Sequence, residues 1–258
     1  MITKGNFLLM EVGEFRSWLA SQKVARNITR LQVHHTWLPN YSTRRNQDHF
    51  KCLEGIRNTH LANGWSGTGQ NITIFEDGKI AISLDRDLSR TPAGIAGANT
   101  WAICVEIIGN FDKGGDTMTD VQKRAVTHLY ACLADKFNIP IDTSHIVYHA
   151  WYTPKGTFLG DYVAGKSSKT CPGADFWGDG NTKAAALKGF IPAIKEELNR
   201  LKGDVEELDK AKVIANGKQI DDGYIIDGHV YVPLRAAGEA FGAKFDWDNK
   251  TKTATVTK

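Results

Sequence analysis

The sequence predicts an α/β domain over residues 1–200 and a small β-rich module over residues 213–258. Three observations carry that expectation. Apolar β-rich runs alternate with helical-period segments as far as Arg200. The charged stretch "LKGDVEELDKAK" (201–212) then offers little apolar surface and reads as a linker. Strands punctuated by turn dipeptides, with a short helix before a final hairpin, fill the remainder. At 258 residues the chain is long enough for one domain and a smaller companion. Its 41% hydrophobic and 24% charged residues are those of an ordinary soluble globular protein. The net charge of +3 comes from basic residues dispersed among acidic ones, so nothing marks a nucleic-acid surface.

The elements follow in order. Residues 11–23 form an amphipathic helix with Val12, Phe15, Trp18 and Leu19 on one face. The apolar run ahead of it is short, and Glu11 and Glu14 follow closely, so no signal-peptide core is expected. No later stretch is long enough to span a membrane. The expectation is synthesis in the cytoplasm without an export signal, with the four cysteines reduced. "RLQVHHT" is a short strand, and "NITIFEDGKIAIS" (71–83) is a hairpin turning at Asp77-Gly78. "WAICVEIIGNF" (101–111) is apolar almost throughout, which predicts an interior strand. Thr119 caps a helix over 120–137 with Val121, Ala125, Leu129, Cys132 and Leu133 at helical spacing. "HIVYH" is another strand, and 182–200 a further helix. In the C-terminal module, Asn216-Gly217, Asp227-Gly228 and Asp248-Asn249 supply turns, and "TKTATVTK" alternates with period two.

The chemistry begins with the cysteines. Cys52, Cys104 and Cys132 sit in apolar surroundings and read as small buried hydrophobes. Cys171, in "SSKTCPG", lies instead between a polar run and a Pro-Gly turn, on a loop that reads as exposed. No C-x-x-C pair, H-E-x-x-H helix or phosphate-binding loop is present. What remains are histidines at strand ends. "QVHHT" places His34 and His35 on opposite faces of one strand, and "VYHAW" places His149 at the end of another. A single such histidine is ordinarily a half-exposed polar residue. Two imidazoles and one thiolate, however, make a good zinc set that leaves a fourth position open, the pattern of a catalytic site.

"VHHTW", "VEIIGNF", "YHAW" and "KTCPG", in that order, resemble the zinc-dependent N-acetylmuramoyl-L-alanine amidases of the type 2 amidase and peptidoglycan-recognition-protein family, in particular bacteriophage endolysins or related bacterial autolysins. The resemblance spans residues 30–200. It implies a mixed central β-sheet flanked by helices, with one zinc at the end of a groove. It also implies cleavage of the amide between N-acetylmuramic acid and L-alanine of the stem peptide. Matched by motif, the implied ligands are His34, His149 and Cys171. Glu106 matches a glutamate that acts on water as general base. Its ordinary alternative is a carboxylate turned to solvent or paired with an arginine. Lys169 matches a lysine that stabilises the oxyanion, its alternative being a solvated loop residue. Two departures stand out: the His149–Cys171 loop is long, and Gln70 stands roughly where some members carry a tyrosine. Trp37, Trp65, Asn99 and Trp151 are candidate groove contacts. His35 is expected to pack, and His49, His60, His128, His145 and His229 to be structural.

The tail, through "VPLRAAGEAFGA" and "WDNKTKTATV", resembles the copper-amine-oxidase N-terminal-like repeat of Firmicute surface proteins. It offers His229 alone, so copper binding is not expected, and holding the enzyme to the wall is. The expected partner is bacterial peptidoglycan, of a Gram-positive wall, with no nucleic acid and no membrane insertion. If the chain is an endolysin, it reaches the wall after holin-type release. The rival expectation is a non-catalytic peptidoglycan-recognition protein; such members typically lack the zinc cysteine, and Cys171 is present here with Glu106 and Lys169. A cytoplasmic wall-recycling amidase would need no tail.

Overall fold

A computed structural model describes residues 1–203, 210–226 and 229–257. The chain divides into two compact units, Met1–Leu201 and Lys202–Lys258.

The first unit is built on a seven-stranded mixed sheet. Its strands are β1 (Ile2–Lys4), β2 (Phe7–Met10), β3 (Arg30–His35), β4 (Ile72–Ile74), β5 (Ile80–Ser83), β6 (Ala102–Ile107) and β7 (Ile146–Tyr148), ordered β1-β2-β5-β4-β6-β3-β7. The β1, β2, β5 and β4 strands pair antiparallel. The β4, β6, β3 and β7 strands pair parallel, and β6 lies between two neighbours as its nearly continuous apolar run predicts. Helices α1 (Val12–Ser21), α2 (His49–Ala62) and α3 (Asp120–Phe137) flank the sheet.

Alternation along the strands decides what each face does. Leu31, Val33, Ile72, Ile74, Ile103, Val105 and Ile107 join one core with Phe15 and Leu19 of α1 and Val126, Leu129 and Leu133 of α3. The intervening residues Gln32, His34, Thr73, Cys104 and Glu106 therefore turn to the opposite face. On that side Phe50, Leu53 and Ile56 of α2 cover Phe7, Leu9, Phe75 and Ala81 and leave the strand ends beyond them open.

Two elements escape the sequence reading. The β1–β2 hairpin turns through Gly5-Asn6, with Gly5 at φ +56°. Helix α2 starts at Asp48, whose carboxylate accepts from the amides of Phe50 and Lys51. The expected helix over 182–200 is not continuous. It consists of α4 (Lys183–Ala185), a π-helical turn (Ala186–Phe190) and α5 (Ile191–Lys202), the π turn lying just before Pro192, which has no amide to donate.

The second unit carries a three-stranded sheet ordered β10-β9-β8, from β8 (Lys210–Ala215), β9 (Lys218–Ile226) and β10 (His229–Tyr231). Helix α6 (Leu234–Ala240) and the hairpin β11 (Lys244–Asp248) with β12 (Thr253–Thr257) complete it. The Asn216-Gly217 turn joins β8 to β9 with both residues at positive φ. The Asp227-Gly228 turn and residues 204–209 of the charged stretch lie outside the described residues. Among the described residues, no helix is long and apolar enough to cross a membrane.

Candidate metal centre

Parallel register places the chemistry. His34 is opposite Glu106 across β3 and β6, Gln32 is opposite Cys104, and Thr73 of β4 is opposite Glu106 from the other side. Residues opposite one another share a face, so the side chains of His34, Glu106 and Thr73 form one row. Val33 pairs with Tyr148, and the chain then leaves β7 through a short 3-10 turn that begins at His149. His149 consequently arrives beside His34, the two Nδ1 atoms 3.3 Å apart.

Cys171 completes the group from a loop, its Sγ 3.6 Å from His34 Nδ1. Contrary to the exposed position expected for it, the thiol is buried, at 4% exposure. The loop owes its position to several anchors. The Cys171 carbonyl accepts from the Ala150 amide, and Thr170 donates through Oγ1 to Asp112. Asp112 also accepts from the Ala174 amide, and Asn181 donates to the Thr170 carbonyl. The amide of His35 points at Cys171 Sγ from 3.4 Å. His35 itself turns away from the row of donors, and its Nδ1 accepts from the Phe111 amide.

These donors suit a tetrahedral zinc ion. Zn–N bonds of about 2.0–2.1 Å and a Zn–S bond of about 2.3 Å hold N,N and N,S donor pairs about 3.3 and 3.6 Å apart. Those are the separations found between His34 and His149 and between His34 and Cys171. Electrostatics favours neutral ligand imidazoles. Burial, then the neighbouring His149 and the Lys169 charge, hold His34 well below the usual histidine range. Burial, with Lys169 and His35, brings His149 down to about 4. Burial and the nearby Glu106 push the Cys171 thiol up, so metal binding must displace its proton. Burial also pushes the Glu106 carboxyl up to about 8, against the opposing pull of Lys169.

A cavity of about 520 Å³ opens onto these groups and brings together His34, Glu106, His149, Lys169 and Cys171 with Trp37 and Trp65. Trp37 is 55% exposed and Trp65 39%, so both offer free ring surface at the rim. Trp65 stacks on His60, ring centroids 4.5 Å apart, and His60 Nδ1 accepts from the Gly69 amide. His60, expected to be merely structural, therefore supports a rim tryptophan.

Two expected groove contacts lie elsewhere. Trp151 is fully buried, stacked on Tyr148 at 4.5 Å, and donates through Nε1 to the Asn181 carbonyl. Asn99 spends its side-chain oxygen on the amides of Gly94 and Ile95 and on Gln32 Nε2. The sequence reading missed Gln32, Cys104 and Asp112. Period two along β3 and β6 puts the first two on the ligand face, whereas no local pattern marks Asp112.

A family profile described as N-acetylmuramoyl-L-alanine amidase matches residues 24–174, and one described as copper amine oxidase N-terminal domain matches residues 208–258. No curated protein matches the sequence. Among solved structures, the chain is similar to the endolysin N-acetylmuramoyl-L-alanine amidase LysCS from Clostridium intestinale URNW. Identity there is 27% over 44% of this chain and 65% of that one, with a TM-score of 0.37. This chain thus spans slightly under two thirds of that endolysin's length. Drosophila PGRP-LB shares 19% identity over 59% of this chain and 78% of its own, with a TM-score of 0.44. Bumblebee PGRP-SA shares 25% over 45% and 66%, with a TM-score of 0.38.

Proposed function

Because the chain belongs to the N-acetylmuramoyl-L-alanine amidase family, we propose that it hydrolyses the amide between N-acetylmuramic acid and L-alanine in peptidoglycan. The observation that carries this reading is the convergence of His34, His149 and Cys171 beside a glutamate in register on the adjoining strand. A recognition protein needs neither the thiolate nor the carboxylate.

His34, His149 and Cys171 would hold one zinc ion per chain. When bound, zinc supplies Lewis acidity, polarising a carbonyl oxygen and making water more acidic. Glu106 takes a proton from the attacking water and returns it to the L-alanine nitrogen as the C–N bond breaks. Burial holds the Glu106 carboxyl above the ordinary glutamate range, which favours its holding the proton between the two halves of that transfer. Lys169, an exposed residue lining the cavity, brings its ammonium to the side where negative charge develops on the carbonyl oxygen. Trp37 and Trp65 contact sugar or stem peptide at the rim. The second unit, which exposes Tyr231, Phe241 and Trp247, holds the enzyme to the wall.

Mass spectrometry of digested cell walls tests the reaction. Free N-terminal L-alanine should appear, together with muramic acid released from its peptide. Metal analysis should find one zinc per chain, with activity lost to chelator. Tight binding of wall fragments without new amino termini would replace the hydrolase reading by recognition.

A further inference from the structure

The pair Gln32 and Asn99 carries an inference that rests on the metal-site reading and deepens it. The Asn99 side-chain oxygen accepts from the backbone amides of Gly94 and Ile95, each at 3.0 Å, which fixes which end of its amide is oxygen. That same oxygen faces Gln32 Nε2 at 3.1 Å, and the Ala98 carbonyl faces Gln32 Nε2 at 3.0 Å. Two acceptors on one side of the Gln32 amide force its nitrogen toward them. Its oxygen is left against His34 Nε2 at 3.2 Å. Gln32 is fully buried, so no water offers an alternative.

An oxygen that can only accept requires a proton on His34 Nε2. A neutral imidazole carries one ring proton, so the lone pair then lies on Nδ1. Nδ1 is the atom that meets His149 and Cys171. We infer that Gln32, oriented by Asn99, is a positioning residue that sets the His34 tautomer and so selects Nδ1 as the metal-binding atom. Backbone amides of the 94–95 segment, Asn99, Gln32 and His34 form one directional chain ending at the metal centre.

The surroundings keep room for this lock. A Cβ added to Gly94 would sit 2.1 Å from Gln32 Oε1, 2.8 Å from Cys104 Sγ and 3.1 Å from His34 Nε2. The neighbour it would strike is anchored by two hydrogen bonds in a buried site, so it has little freedom to yield. The lock also gives Asn99 its role: it acts on the metal through Gln32.

The test uses the full chain, without metal and then titrated with zinc. Long-range ¹H–¹⁵N correlation spectra of the metal-free protein should show His34 protonated on Nε2. Gln32→Met, similar in volume but without the acceptor, should populate both tautomers. It should weaken zinc binding by about 10- to 100-fold against a chromogenic chelator. Asn99→Leu should do the same at a distance, and it stands in if Gln32→Met does not fold. Asn99→Asp, which keeps the accepting oxygen, should retain the wild-type tautomer and affinity. A single Nε2-protonated tautomer with native affinity in folded Gln32→Met or Asn99→Leu protein would overturn the inference. The tautomer readout needs neither metal nor turnover. Failure of the amidase reading would therefore show as absent hydrolysis with the lock intact.

Discussion

Glu106 and Asp85 show how differently two carboxylates fare in this fold. Burial raises the Glu106 carboxyl to about 8, with the Lys169 charge pulling the other way. Glu106→Gln should keep the fold and the zinc while turnover on a muramyl-peptide falls by about 10²–10⁴-fold. Near-normal turnover would move the base elsewhere. Burial also pulls Asp85 upward, but hydrogen bonds from Arg57 and from Thr68 outweigh it and leave its carboxyl below the ordinary aspartate range. A depressed folded value means stability that is full above about pH 4 and is lost as pH falls through the folded value. The gap in melting temperature between wild type and Asp85→Asn should therefore hold steady above that pH and close below it. A gap that widened on acidification would reverse the sign. Residue identity was legible where chemistry is rare: two histidines, a glutamate inside an apolar strand and a cysteine before Pro-Gly. Gln32, Asn99 and Asp112 are common polar residues whose roles arise only from what the fold sets beside them.

Elements were legible in proportion to the contrast of their patterns. Helix α3 has a Thr119 cap, a long apolar face and an end at Asn138 in the left-handed region, so its bounds could be read directly. Helix α2 was missed because Gly55 and several polar residues dilute its apolar stripe, although Asp48 marks its start. The β1–β2 hairpin was missed because β1 is wholly exposed and contributes no buried alternation. The Thr119 hydroxyl accepts from the Gln122 amide and donates to the Glu76 carbonyl, joining α3 to the turn after β4. Thr119→Ala should cost about 0.5–2 kcal/mol, and Thr119→Ser much less, by denaturant titration. Equal losses would mean that the methyl packing, not the cap, stabilises the start of α3.

At the scale of the whole molecule, the change of character after residue 200 is visible in local composition alone. The strand order could not be read that way, because pairing between β4, β6 and β3 joins segments far apart in sequence. Met1–Leu201 contains every proposed ligand and its own core, so a chain ending at Leu201 should fold. Its hydrolysis of a soluble muramyl-peptide should match that of the full chain. Its action on intact walls should fall, since tethering works through local concentration. Loss on both substrates would assign the second unit to folding support. Equal activity on both would remove its wall-holding role.

The three metal donors are remote along the chain: His149 lies 115 residues from His34, and Cys171 lies 137. No partly formed structure can present them together until β3 and β7 are paired and the cysteine loop has closed. Zinc should thus engage only after the folding barrier is crossed, acting as a latch on the finished molecule. In stopped-flow experiments, saturating zinc should slow unfolding and leave the refolding rate as it is with chelator. Refolding accelerated by zinc would mean that the donors gather before the barrier.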